Sequence, residues 1–569
     1  MAPNNQDEDV EVDGEMEIKV DSQKENDMLH NDIQEYNEET NNNEDMFAHI
    51  GFGKWNILYL IGVCLSQASA PAQYLSSVFV NMPTNFTCAN ISESTNTSHL
   101  DFYYENSCTV QNILLSEELI TDNKLGYISE HCKTFEYDTS VFKSTLTTEF
   151  DLVCDRKWLF SLYQIILVIG AIFGNLLTGV SDTFGRVSVM RVSGIFYAVG
   201  ALLVGCCYDY YLILLGRFLL GMCHTLFTTA VYTIVMETLT PNMRSTIGIM
   251  MNLPYYICCA LMGLIAYYIR HWRMLHLVLC IPVYPIPFIV IFMDKSPRWL
   301  VQNGHLEEAH VILEKAAKLN GGIAPSKEHL QKYILQKDSK VIIKKKNVFV
   351  DNITKIATRG KLLFGSKSMC RMSLITPLVW FFTSCVYFGV PLNANSFTDN
   401  PFLYISIVGL AEVPSCLFGS FFLKGIGNIK TVISMLLVPA SSLLLVLVIP
   451  DTVIWIRWIF VVLAMMAIGL ATNTCIVLTN EIFPTVVRTT GYGICVLAYY
   501  SGFLLSSYVN SILEDKVWWL FNVICSASCI MGAILAIQLP ETQGKPLCEN
   551  IEDVKRREAD RLKNNSEYK

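Results

Sequence analysis

The chain has 569 residues, of which 52% are hydrophobic and only 16% charged, and its mean hydropathy is +0.37. That composition excludes an ordinary soluble protein of this size and places the chain in a lipid bilayer. The formal charge of -9 misleads about the membrane part, because residues 1–46 hold 16 acidic and two basic side chains, net -14, which leaves about +5 elsewhere. There is no metal-ligand spacing, phosphate-binding loop or nucleophile arrangement, so neither enzyme activity nor a cofactor is expected, and no nucleic-acid partner.

In chain order, residues 1–50 are expected to form an acidic, disordered cytoplasmic tail, since they lack apolar periodicity. No apolar core of signal-peptide length precedes Phe52, so the first span is expected to act as its own insertion signal. Twelve stretches are long and apolar enough to cross a bilayer as helices. They lie near 55–78, 158–180, 188–207, 211–236, 246–269, 273–293, 372–391, 401–423, 431–449, 454–480, 489–510 and 518–539. The expected fold is an all-α membrane protein of two six-helix halves, 51–293 and 372–539. Residues 294–371 are expected as a cytoplasmic loop and 540–569 as a cytoplasmic tail.

Orientation follows from basic residues, which are retained on the cytoplasmic side. Residues 294–371 carry 16 Lys and Arg, including Lys344, Lys345 and Lys346. With an even number of spans, both termini are then cytoplasmic and the segment 79–157 is extracellular. That segment holds the glycosylation sequons at Asn85, Asn90 and Asn96. It also holds Cys88, Cys108, Cys132 and Cys154, an even set for which two disulfides and three pairings are open.

Two spans end alike, 244 positions apart: Glu237, Pro241, Arg244 and Glu481, Pro484, Arg488. A repeated charged hinge is the sequence mark of a transporter built from parallel repeats. Between spans two and three, Gly179-Val-Ser-Asp182-Thr-Phe-Gly185-Arg186 suits a tight reversal, with Asp182 at a helix N-terminus and Arg186 free to pair with neighbouring acids. Further along stand Gly216-Arg217-Phe-Leu-Leu-Gly221, Ser296-Pro-Arg-Trp-Leu300 and Leu539-Pro-Glu-Thr542. The set resembles the major facilitator superfamily, and Thr147-Thr-Glu-Phe-Asp-Leu-Val-Cys154 is similar to the organic cation, carnitine and organic anion transporter family within it. The resemblance implies a multi-pass plasma-membrane carrier working by alternating access. Two positions depart from the family pattern. Asp294-Lys295 stands where the family has Pro-Glu, and the second hinge copy, Lys424-Gly-Ile-Gly427-Asn428, has lost the acid and the arginine, so gating charges are expected to differ between halves.

The substrate argument rests on span eight. Glu412 lies about eleven positions into it, within Ala411-Glu412-Val-Pro414. A lone charge there costs about 2.5–3.5 kcal/mol on insertion scales, so it should face a cavity and pair, protonate or bind a cation. The competing reading is a structural glutamate, paired with a neighbour such as Arg217 or Arg457 or held neutral. Counting from Glu481, Tyr500 occupies the position where, by the resemblance, cation carriers have Asp and anion or carnitine carriers have Arg. Its ring can face an ammonium. Trp380, Phe381, Tyr387 and Phe388 on span seven, Thr228 and Tyr232 on one face of span four, and Gln164 in span two complete the candidate set. For each, packing or helix-to-helix hydrogen bonding competes. His224 and His276 are candidate proton shuttles or satisfied buried histidines. The expected cargo is a small organic cation or amine-bearing zwitterion, with proton or sodium coupling undecided. The alternatives are an organic anion carrier of the same family and a non-transporting receptor or scaffold.

Overall fold

The computed structural model describes residues 50–82, 84, 86–88, 103–106, 108–113, 127–132, 134–239, 243, 247, 248, 250–327, 330, 362–393, 400–484, 487–513, 518–543, 554 and 556. The acidic tail up to residue 49, Asn85, Asn90, Asn96, Pro241, Arg244 and most of 331–371 lie outside the described residues, as do the side chains of Cys88 and Asp182.

Helices dominate. They are α1 (Lys54–Tyr74), α2 (Lys157–Leu176), α3 (Arg186–Cys206), α4 (Tyr210–Thr238), α5 (Leu253–Tyr268) and α6 (Trp272–Leu279). After the expected cytoplasmic loop come α7 (Lys367–Leu392), α8 (Pro401–Ile426), α9 (Asn428–Val448), α10 (Ile454–Ile482), α11 (Arg488–Leu513) and α12 (Trp518–Ala536). Among the described residues, nine helices are long and apolar enough to cross a membrane: α2, α3, α4 and α7 to α12. Their outward residues, among them Phe173, Ile195, Leu374 and Ile459, leave an apolar surface that lipid would cover. The unbroken span expected over 273–293 is not found. α6 ends at Leu279 and helix resumes only over Ile286–Ile291. Pro282, Pro285 and Pro287 explain the break, since each lacks an amide N–H and clashes with the preceding turn.

Glycines let the helices approach at backbone distance. A Cβ on Gly170, Gly174 or Gly221 would stand 2.0–2.4 Å from a backbone oxygen of the facing helix, so α2 and α4 touch main chain to main chain. Arg217 of α4 strengthens this contact. It is fully buried, lies 4.1 Å over the Tyr163 ring, and donates to the carbonyls of Tyr163 and Gln73 and to Gln164 Oε1 at 3.0–3.2 Å. The guanidinium thereby ties α1, α2 and α4 together. Between the two sets of six, α5 meets α8 by the same device: a Cβ on Gly263 would lie 2.1 Å from the Phe402 carbonyl, and one on Gly409 would lie 2.4 Å from the Ala260 nitrogen.

The segment between α1 and α2 adds two small antiparallel sheets to the helical body. β1 (Phe86–Cys88) pairs with β5 (Phe135–Tyr137), and β3 (Thr109–Ile113) lies between β2 (Tyr103–Asn106) and β4 (Tyr127–His131). A disulfide joins Cys108 to Cys154, and Cys132 is also disulfide-bonded. The base of this segment is clamped to the α5–α6 connection. Lys143 donates its amide to the Arg270 carbonyl at 3.0 Å, and Glu149 accepts from Trp272 Nε1 at 2.7 Å while pairing with Arg273 at 2.5 Å. Next to the clamp, the Phe402 ring of α8 stacks on Phe79 at 5.5 Å, is flanked by Phe142 and Tyr267, and has the Arg270 guanidinium 4.5 Å from its centre. Aromatic rings of both halves thus meet at this end of the body.

Candidate functional site

Glu412 sits where the two halves meet. It is 2% exposed, and Tyr387 Oη of α7 donates to its Oε2 at 2.8 Å. Tyr255, Tyr256 and Cys259 of α5 and Tyr499 of α11 face the same carboxylate, and Gly469 of α10 passes beside it. Among the described residues no cation lies within salt-bridge reach of it. The reading that paired Glu412 with Arg217 or Arg457 is therefore not what the structure holds: Arg217 is bound to carbonyls of the first half, and Arg457 donates to the Ile449 carbonyl. A carboxylate wrapped in phenol rings, with one hydroxyl donor and no counter-ion, can accept an ammonium whose charge and methylene groups the rings cover.

A second layer of rings follows. Phe388 stacks on Phe503 at 3.8 Å and reaches Tyr499 at 5.4 Å and Tyr74 of α1 at 5.8 Å. Tyr74 in turn meets the His224 ring at 5.5 Å. Tyr500 points its hydroxyl at the first half, 3.4 Å from Thr225 Oγ1 and 3.5 Å from Tyr74 Oη. Trp380 donates to Thr479 Oγ1 at 2.9 Å and places its ring 5.7 Å from Tyr499.

The structure divides the predicted residues into two groups. Glu412, Tyr387, Phe388, Trp380 and Tyr500 come together in one aromatic cluster. The others stand apart from it in role. Gln164 donates to the Tyr74 carbonyl and accepts from Arg217, so it is part of the helix-to-helix network. Thr228 hydrogen-bonds Ser66 of α1, and Phe381 turns its carbonyl to Gly502 of α11 and its ring to Phe382. Tyr232 stands near Gly248. His224 hydrogen-bonds Tyr197 Oη at 3.1 Å, the arrangement of a satisfied buried histidine, and His276 contacts Cys280. Tyr74, Tyr255, Tyr256, Tyr499, Phe503 and Thr225 were not among the expected site residues. A Tyr-Tyr doublet at 255–256 and another at 499–500 were the available signals.

At the opposite end of the helices stand the hinges. Arg186 pairs with Glu237 at 2.8 Å, and Ser296 Oγ donates to the other oxygen of Glu237 at 2.7 Å. In the second half, Asn428 Nδ2 donates to Glu481 Oε2 at 2.6 Å and to Thr542 Oγ1 at 2.9 Å. Each cluster joins helix ends within its own half rather than across the two. Arg488 donates to the Phe483 carbonyl at 3.2 Å. A contact between halves here runs from Asn175 Nδ2 of α2 to the Gly493 carbonyl of α11, at 3.2 Å. The Asp294-Lys295 departure is built into local pairs: Asp294 accepts from Lys315 and from Trp55 Nε1, and Lys295 pairs with Glu308.

Comparison with known proteins settles what this arrangement belongs to. The sequence profile of the family described as "Sugar (and other) transporter" matches residues 74–553. The chain belongs to that family, within the major facilitator superfamily. It is similar to an organic cation transporter protein of Drosophila melanogaster, 27% identical over 90% of this chain and 94% of the relative. Solute carrier family 22 member 7 of Rattus norvegicus is 28% identical over 90% and 98%, and organic cation/carnitine transporter 2 of Mus musculus is 28% identical over 74% of each chain. The inward-open xylose transporter XylE of E. coli superposes with a TM-score of 0.58 at 15% identity, covering 88% of this chain and 98% of its own, which shows the fold. The expected family and fold are thus found, and this member of the family is a multi-pass transporter of organic solutes, not an enzyme.

Proposed function

We propose that the protein carries small organic cations, or zwitterions with an amine end, by alternating access of its two halves around Glu412. The observation that carries this reading is the buried carboxylate, with no cation in salt-bridge reach among the described residues and with tyrosines of both halves about it. The solute's ammonium would bind Glu412, its apolar part would lie against Phe388, Phe503 and Tyr499, and Tyr500 and Tyr74 would offer hydroxyls to a polar end. Alternating access needs one end shut at a time, and the Phe402 stack supplies such a closure. On the same reading, the strand-bearing segment lies outside the plasma membrane, and the hinges and both termini lie in the cytoplasm, by the basic-residue rule. An uptake panel in expressing cells tests the proposal, with labelled cationic, zwitterionic and anionic solutes at matched concentration. Saturable uptake of amine-bearing solutes, competed by other cations, is the expected result. Selective uptake of anions would refute it.

A further inference from the structure

We infer that the first half binds a small monovalent anion of the halide class against Arg217, at a site apart from Glu412 that stands or falls separately from the cation reading. Arg217 of α4 is fully buried. Its Nε and Nη2 donate to the carbonyls of Tyr163 and Gln73 and to Gln164 Oε1, whereas Nη1 has no partner among the described residues. No carboxylate among the described residues lies within salt-bridge reach of it: Glu149 pairs with Arg273, and Glu237 with Arg186. A guanidinium is always charged, and three neutral acceptors leave that charge uncompensated inside an apolar helix bundle.

The groups around the guanidinium suit an anion. The Tyr163 ring covers it at 4.1 Å and carries a buried hydroxyl with no partner. Ser76 lies beside that hydroxyl, fully buried, and its Oγ is unpartnered too. Gln73 has an unpartnered Oε1, while its Nε2 lies 3.5 Å from Cys280 Sγ. A half-turn of that amide would let its oxygen accept from the thiol and free Nε2 as a further donor. Water would leave the charge in place and bring two hydrogens that need acceptors of their own. A halide accepts from each of these donors and cancels the charge. Gln164 links the site to the central cluster, because it accepts from Arg217 and donates to the Tyr74 carbonyl. The anion thereby steadies the part of α1 that carries Tyr74.

The test uses the purified full chain in detergent, with thermal unfolding as the readout. The protein is exchanged into gluconate, an anion too bulky for so packed a site, and titrated with chloride at constant ionic strength. Chloride should raise the unfolding midpoint along a saturating curve, as a ligand of the folded state does. Tyr163→Phe and Ser76→Ala each remove one hydroxyl and little volume. Each should shift the half-saturating chloride concentration upward by about tenfold or more, the loss of one hydrogen bond to a charged group. Equal midpoints in chloride and gluconate would overturn the site. A chloride response that both variants leave unchanged would overturn it as well, since the ion would then bind elsewhere. Neither result touches the cation reading, which cation uptake tests on its own.

Discussion

The two halves hold the same hinge with different chemistry. In the first, Gly185 adopts a φ of +88° and Arg186 follows it onto Glu237, which also accepts from Ser296. In the second, Gly427 adopts +102° and Asn428 follows it onto Glu481 and Thr542. Backbone shape at each turn demands glycine, so the position is retained where the charge is not. A guanidinium against a carboxylate is a charge-assisted contact with a steep cost of loss. An amide against a carboxylate does the same joining for less. The first half is thus expected to hold its helix ends more rigidly than the second.

Removing each partner sharpens the contrast. Arg186→Ala leaves Glu237, 17% exposed, without its cation and should destabilise by about 3–5 kcal/mol, read as thermal unfolding in detergent. Phe402→Ala empties the aromatic stack at the other end of the molecule and should cost about 3–5 kcal/mol, with faster labelling of a cysteine introduced beside Phe79. Asn428→Ala should cost about 1.5–3 kcal/mol, the range for a hydrogen bond to a charged group. Thr542→Ala removes a neutral contact of 2.9 Å and should cost about 0.5–1.5 kcal/mol. If Asn428→Ala proves as damaging as Arg186→Ala, the asymmetry between halves is wrong.

Much of this was legible in the chain. Nine of the spans, the hinge glycines and the family set could be read because composition and short spacings encode them directly. Glu412 stood out because a lone acid in an apolar helix has no structural default. Its surroundings did not stand out. Tyr74, Tyr255, Tyr256 and Tyr499 look like any membrane aromatics until helix rotation and packing bring them to one point. Arg217 and Gln164 show the same limit: each was a candidate elsewhere, and only the approach of α2 to α4 makes them partners. The break after α6 was written in Pro282, Pro285 and Pro287, but a hydropathy pattern alone runs through it.

The account's central claim is that Glu412 holds the cargo's positive charge. Uptake of a labelled organic cation by cells expressing wild type or Glu412→Gln, normalised to surface protein, tests it most directly. The account predicts saturable uptake by wild type and none above background for the variant at equal surface abundance. Wild-type rates in Glu412→Gln would contradict it.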